Sequence, residues 1–533
     1  MRSSRLNTRG NRFMMLAETA GRSPLRECPP ANPERDVRMF SHCPGSTIKE
    51  KCGVFALFAP DEDVARLTYF GLYSLQHRGQ ESAGIAVSTN RKLVCYKDMG
   101  LVTQAFSEKV LTIMKGESAV GHVRYSTTGS SVERNAQPIV AQAHHHIAVA
   151  HNGNLVNAAL FRDELNTNGG LKGTTDTEIM AELIARNPAP DLETAITDCM
   201  DRIEGAYSVA ILDRTGTIYA MRDRHGIRPL CIGRLGNDHG WVVASETCAL
   251  SIVGAEFVRE VNPGELVRID DFGPSTVYQL ESPRSATCVF EFIYFARPDS
   301  YIHGRSLYYS RKTMGMNLAK EHPVDADIVM SVPDSGTPAA IGFAQQSGIP
   351  YDEGLIKNRY VGRTFIAPDQ RIRALGVKIK LNPLLEAIGG KRVVLVDDSI
   401  VRGSTSSQIV RMMYDAGARE VHMRVSCPPV KYPCFYGIDM AEASQLIAST
   451  RTVEEIQDII KPDSLRYLSI EGMVSACGLP KERFCTACFN DDYPIAIPQQ
   501  LQLDKLKFED PAIRAGVKNG IDLKPDMSRV FDT

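Results

Sequence analysis

The run Val393-Val394-Leu395-Val396-Asp397-Asp398-Ser399-Ile400-Val401-Arg402-Gly403-Ser404-Thr405-Ser406 constrains the fold more tightly than any other part of the chain. Its uninterrupted aliphatic start reads as a strand buried on both faces, which a parallel sheet covered by helices requires. The strand delivers two carboxylates to its carboxyl end. A small-residue turn then opens a helix-period segment from about Thr405, closed by Gly417 as a C-terminal cap. Ligands bind at such strand ends in open α/β sheets. Backbone N–H groups at the helix start, together with the hydroxyls of Ser404, Thr405 and Ser406, suit a phosphate. Asp397 and Asp398 suit ribose hydroxyls and Mg2+, an oxygen-seeking cation that shares its ligands with substrate phosphates. A solvated helix cap would explain Asp-Asp-Ser alone, but not the whole strand, acid, glycine and helix unit.

Two further segments extend this half. A second strand-loop-helix unit runs from Ile328 to Val332 into Pro333-Asp334-Ser335-Gly336-Thr337-Pro338, which by itself is also an ordinary turn. The basic stretch Lys357-Asn358-Arg359-Tyr360-Val361-Gly362-Arg363-Thr364-Phe365-Ile366, followed by Gln370, Arg373, Lys378 and Lys380, reads as a solvated loop unless phosphates lie nearby. Together the pieces resemble the type I phosphoribosyltransferases. That resemblance implies an α/β domain with a mainly parallel sheet that binds phosphoribosyl pyrophosphate (PRPP). It puts Asp397, Asp398 and Ser399 at the ribose, Ser335, Asp397 and Asp398 at Mg2+, and Arg402, Gly403, Ser404, Thr405 and Ser406 around the 5-phosphate. Lys357 and Arg363 would belong to a lid that meets the pyrophosphate leaving group.

At 533 residues the chain exceeds what one hydrophobic core serves, so two domains with appendages are expected. A net charge of -2 gives no electrostatic case for nucleic acid or an anionic membrane as the main partner. No apolar run approaches the length of a membrane helix. Residues 1–51 begin arginine-rich and acid-poor, and Pro24, Pro29, Pro30 and Pro33 then break any regular element. A disordered tail, an organellar transit peptide and translation from Met39 all fit this leader. From Lys51 to about residue 285 short apolar runs alternate with turn signals, at Cys52–Phe58, Ser82–Ser88, His146–Ala150, Ala206–Asp213, Ile218–Arg222 and Trp241–Ser245. With helical segments at Ala65–Gln76 and Asp176–Arg186, they predict an α+β domain of antiparallel sheets covered by helices. The expected division is a leader at 1–51, domains at 52–285 and 286–495, and a C-terminal extension at 496–533.

A cysteine beginning an apolar strand, as in Glu50-Lys51-Cys52-Gly53-Val54-Phe55, is ordinarily a small core residue. Four downstream segments change its reading: Leu75-Gln76-His77-Arg78-Gly79-Gln80-Glu81-Ser82-Ala83-Gly84, Gly121-His122-Val123-Arg124-Tyr125-Ser126-Thr127-Thr128-Gly129, Ala150-His151-Asn152-Gly153-Asn154-Leu155 and Thr174-Thr175-Asp176-Thr177-Glu178. This set resembles the class II, N-terminal-nucleophile (Ntn) glutamine amidotransferases over essentially all of 52–285, which implies stacked antiparallel sheets. In that family processing leaves the cysteine as residue one, and its α-amine, with a pKa of about 8, serves as general base. Residues 1–51 would then be a propeptide. The resemblance implies Cys52 as nucleophile and the Asn152 side chain and Gly153 N–H as oxyanion donors. Arg124, Thr127 and Asp176 would hold the glutamine. His151 is read as structural.

The 13 cysteines, an odd count in a long chain, argue for reduced thiols and a cytoplasmic setting. Cys485-Thr486-Ala487-Cys488 fits a redox pair, a zinc half-site or a cluster half-site, and spacing does not decide. With both halves joined, the chain resembles the amidophosphoribosyltransferases over about residues 48–495. Their activity frees ammonia from glutamine and attaches it to carbon 1 of PRPP, the first committed step of purine synthesis. One branch carries a four-iron, four-sulfur cluster, and the resemblance implies Cys288, Cys434, Cys485 and Cys488 as its ligands, with structural zinc as the rival. It also implies a dry passage for ammonia, a homotetramer and inhibition by purine nucleotides. Two departures stand out: Ser404 where threonine is commoner, and Asp491 after Asn490 where glycine is usual. A PRPP-sensing regulator would need no glutaminase, and a sugar-phosphate aminating enzyme would carry a different second half.

Overall fold

A computed structural model of the chain describes residues 52–125, 131–166, 170–236, 240–358, 380–438, 440 and 443–498. The first half is built from two antiparallel sheets. One has seven strands, in the order Ala255–Glu260, Cys231–Leu235, Trp241–Ala244, Gly53–Phe58, Ser118–Arg124, Ser82–Thr89 and Lys92–Met99. The other has six, in the order Gly273–Gln279, Glu265–Asp270, Ile218–Arg222, Gly205–Asp213, His146–Leu155 and Ile139–Gln142.

Three apolar layers hold this half together, because each sheet buries both faces. Between the sheets lie mostly small residues, among them Ala56, Ala86, Ala148, Ala150, Ala210 and Ala220, which let the sheets stack closely. Outside the first sheet, Phe55, Leu57 and Ile85 pack under the helix Val64–Ser74. Outside the second, Val149, Val209 and Ile211 pack under Asp176–Ala185 and Leu192–Arg202. Each side chain so buried contributes about 1.5–3 kcal/mol relative to exposure. The result is a helix-sheet-sheet-helix sandwich with Gly53–Phe58 in the middle of its sheet.

The second half centres on a four-stranded parallel sheet, ordered Ile328–Ser331, Arg392–Asp397, Glu420–Val425 and Ser464–Tyr467. Val393, Val394, Leu395 and Val396 are fully buried, as the unbroken apolar run requires. The helices Leu307–Glu321 and Thr337–Ser347 press together through glycines. A Cβ on Gly315 would fall 1.8 Å from the Ala339 oxygen, and one on Gly342 1.8 Å from that of Lys312. The expected helix after the acidic turn spans Ser404–Asp415, and Gly417 takes the left-handed conformation, φ +90°. The fold class read from the sequence is therefore the one observed. Asp491 also stands at positive φ, +65°, filling the role of the missing glycine at the modest cost that aspartate pays there.

Candidate active sites and a thiol-lined cavity

Cys52 sits at the head of the central strand, 8% exposed, and its Sγ donates to the Tyr125 carbonyl at 3.4 Å. Gly53 pairs with Val123, which carries Arg124 to the same end of the sheet. The turn at Gly79 lies so close beneath that a Cβ there would be 2.6 Å from the Arg124 nitrogen. Burial pushes the Cys52 thiol up to about 11, against a Tyr125 backbone contact and the charge of Arg124 and with the help of Asp176 and Glu81. The thiol is thus neutral at physiological pH and needs a base.

The second sheet brings His151, Asn152, Gly153 and Asn154 to the same region. A buried hydrogen bond ties the sheets together, from His122 Nε2 to the His151 carbonyl at 3.0 Å. Burial lowers His122 to about 3, so the ring is neutral, and its Nε2 carries the proton donated to the carbonyl. Asn152 is 1% exposed, and its Nδ2 has no acceptor among the described residues. A buried amide donor left open in this way suits a transient oxyanion. Gly153 must be glycine: at φ +154°, a Cβ would meet the Ala206 oxygen at 1.8 Å. Asp176, in the first turn of its helix, accepts from Leu155 N at 3.0 Å and so fastens the end of this strand. His151 Nδ1 lies 3.1 Å from Thr177 Oγ1, and burial lowers its pKa. Thr127 lies outside the described residues.

In the second half Asp397 and Asp398 emerge at the carboxyl end of the parallel sheet, 8% and 5% exposed. Ser335 Oγ, from the other strand-loop-helix unit, donates to Asp398 Oδ2 at 2.5 Å, and Ser399 Oγ donates to Oδ1. Burial and the neighbouring Asp398 push Asp397 well above the usual carboxylate range. Burial also raises Asp398, against the pull of Ser335, Ser399 and Arg311. Two such adjacent carboxylates could hold a cation. Gly403, at φ +76°, starts the helix with no side chain capping it, so the first-turn N–H groups of Ser404, Thr405 and Ser406 face outward as an anion cradle. Arg402 donates to Gln445, and Lys357 Nζ pairs with Asp334 Oδ2 at 2.5 Å. Arg363, with most of the basic stretch, lies outside the described residues.

Between the halves, Cys288, Cys434, Cys485 and Cys488 line one small cavity, with Ile227, Arg228 and Tyr436 among its walls. Arg228 is fully buried. It donates to the Tyr436 carbonyl, while its Nε and Nη1 find no hydrogen-bond acceptor among the described residues. Burial raises all four thiols, and Arg228 opposes that rise at Cys288, Cys434 and Cys485. Among the described residues no three His, Cys, Asp or Glu side chains converge closely enough for a single metal ion. Sequence reasoning missed Tyr125, His122, Asn154, Arg228 and Arg311, because each acts through a contact to a distant segment.

A two-sheet sandwich with cysteine heading its central strand, joined to a parallel-sheet phosphate cradle, defines a glutamine amidotransferase coupled to a phosphoribosyl-transferring domain. The comparisons agree. Residues 122–251 match the glutamine amidotransferase domain family. The chain is 53% identical to the amidophosphoribosyltransferase of Synechococcus elongatus, over 86% of this chain and 94% of that one. It is 51% identical to that of Mycobacterium tuberculosis, over 89% and 90%. The solved glutamine PRPP amidotransferase of B. subtilis, complexed with ADP and GMP, superposes with a TM-score of 0.80 at 45% identity, covering 86% of this chain and 100% of that one. The chain belongs to the amidophosphoribosyltransferase family, the glutamine amidotransferases and pentosyltransferases that use glutamine and PRPP in purine biosynthesis.

Proposed function

We propose that Cys52 is the nucleophile of the mature enzyme, freed as its first residue when residues 1–51 are removed. Its α-amine takes the thiol proton, and Sγ attacks the side-chain amide carbon of glutamine. The oxyanion is received by Asn152 Nδ2 and the Gly153 N–H, the α-ammonium returns its proton to the nitrogen so that it leaves as ammonia, and water then hydrolyses the thioester to glutamate and frees the thiol. Arg124 grips the substrate carboxylate, with Thr127, and Asp176 takes the α-ammonium. Neutral ammonia, kept from bulk water in a dry passage between the sites, then displaces pyrophosphate from carbon 1 of PRPP, giving 5-phosphoribosylamine. The observation that carries this reading is the open, buried amide donor of Asn152 on the strand tied by His122 to the sheet that Cys52 heads.

Asp397, Asp398 and Ser399 orient the ribose, Arg402 to Ser406 hold the 5-phosphate, and Lys357 and Arg363 meet the pyrophosphate. Asp397, Asp398 and Ser335 would hold Mg2+, and the raised pKa of the two buried carboxylates supports that fit. The ion would supply charge neutralisation at the leaving group.

Cys288, Cys434, Cys485 and Cys488 would hold a four-iron, four-sulfur cluster. Four thiols from three segments line one cavity, and four thiolates are the ligand set such a cluster takes, with structural zinc as the rival. The cluster would supply structural cross-linking among three segments of the second half, sensitive to oxygen. The enzyme is read as a cytoplasmic homotetramer inhibited by purine nucleotides, and the ADP and GMP bound to the B. subtilis relative support the last of these alone. The deciding experiment is the intact mass and N-terminal sequence of anaerobically purified protein with iron and sulfide analysis. A fully active chain that keeps residues ahead of Cys52 would overturn the mechanism. Light scattering showing only monomer, and rates unchanged by AMP and GMP, would overturn the assembly and its regulation.

A further inference from the structure

One of the contacts between the glutamine site and the second half runs through the Phe435–Gly437 turn. Asn154 Nδ2 donates to the Phe435 carbonyl at 2.9 Å. Gly437, in the left-handed conformation at φ +94°, lies on the Gly153 peptide, so that a Cβ at 437 would stand 2.8 Å from the Gly153 oxygen. On the opposite side Gly153 is pressed against the Ala206 carbonyl. The peptide of Gly153 is therefore held between two backbones, one from each half of the chain.

The turn that supplies this contact is itself firmly fixed. Between Phe435 and Gly437, the Tyr436 carbonyl accepts from buried Arg228. The Tyr436 hydroxyl donates to the Ile495 carbonyl at 2.8 Å and accepts from Ile495 N at 3.0 Å. A rigid turn resting on a strand end can set the direction of a nearby N–H, and an oxyanion donor is effective only when aimed within a fraction of an ångström.

We propose that the Phe435–Gly437 turn is a positioning element for amide hydrolysis. Through Asn154 and Gly437 it fixes the Gly153 peptide, so that the phosphoribosyltransferase half sets the oxyanion geometry at Cys52. The inference rests on the reading of Asn152 and Gly153 as oxyanion donors. It assigns Asn154 and Gly437 roles that neither the motif nor the catalytic chemistry gives them.

The test uses mature, anaerobically handled enzyme and the variants Gly437→Ala and Asn154→Ala, with Asn152→Ala as control. Five quantities are read: kcat and KM for glutamine, the rate of PRPP amination with added ammonia, alkylation of Cys52 by iodoacetamide, which forms no oxyanion, and iron per chain. The turn variants are expected to lose about tenfold or more in glutamine kcat, with KM changed less than about threefold. Their ammonia-dependent rate, alkylation and iron content stay at wild-type level. Unchanged glutamine kcat overturns the proposal, and so does a parallel fall of kcat, alkylation and ammonia-dependent rate, which marks general damage. If Gly437→Ala does not fold, Asn154→Ala alone decides. If Asn152→Ala keeps normal turnover, the oxyanion reading itself fails; if only that control loses turnover, the positioning role alone fails.

Discussion

Cys288 and Cys485, far apart in sequence, face each other as register partners in a short parallel pairing, Thr287–Cys288 against Phe484–Cys485. This pairing closes one wall of the thiol-lined cavity and fastens the last described helix to the segment just after the antiparallel sheets. Phe484, fully buried, packs this pairing, and under the cluster reading proposed above the two thiols would add a shared occupant to the wall.

Protein prepared without oxygen is accordingly expected to carry about four iron and four sulfide per chain. Cys485→Ser should lose most of the iron and melt at lower temperature. A variant that keeps both would rule out the cluster reading at that position. Zinc at about one per chain, with no sulfide, would favour the rival metal.

The Cys52 thiol is raised by burial, so less thiolate exists at any given pH than for an ordinary cysteine. Alkylation of the unprocessed chain should therefore climb with pH only toward about 11. Under the proposed maturation a free α-amine would take the thiol proton, and glutamine kcat/KM should level off near about pH 8. Stopped alkylation series on a processing-blocked and a matured sample compare the two directly. Coincident profiles would remove the amine from the mechanism.

Asp397→Asn removes a carboxylate that burial and Asp398 both oppose, so the fold should tolerate it. PRPP amination should fall by about 10²-fold or more with either nitrogen source, since the defect lies in the phosphoribosyl half. The thermal shift normally produced by Mg2+ with PRPP should shrink in parallel. Retention of that shift together with full ammonia-dependent rate would displace Asp397 from the site.

Lys357 pairs with Asp334 at the surface, with side chains 44% and 65% exposed. Exposed pairs contribute about 0–1 kcal/mol, so Lys357→Ala should leave the melting temperature nearly unchanged. Its effect should appear instead as a raised KM for PRPP, of about tenfold, if the lysine meets pyrophosphate. A lowered melting temperature with normal PRPP kinetics would assign it to the fold.

Much of the architecture was legible locally. The apolar run at Val393–Val396, the acids behind it and Gly417 after the helix dictate a buried parallel strand and its crossover, because each signal is a matter of near neighbours. Segments such as Lys92–Met99 and Leu307–Glu321 carried weaker signals. Their polar positions are spent on long-range partners, as where Arg311 donates to the carbonyls of Phe292 and Ala296. Thr127 and Arg363 remain sequence expectations, outside the described residues.

By itself the sequence determined which residue types stand at or near the strand ends, the thiol at Cys52, the amide at Asn152 and the paired acids at Asp397 and Asp398, and that four cysteines lie in three separate segments. Only the tertiary structure decided that those cysteines share one cavity with a buried arginine, and that Gly437 rests on Gly153. The reason is physical. A strand or a cap is set by interactions a few residues long, whereas burial, close backbone approach and pKa depend on which distant segments pack together.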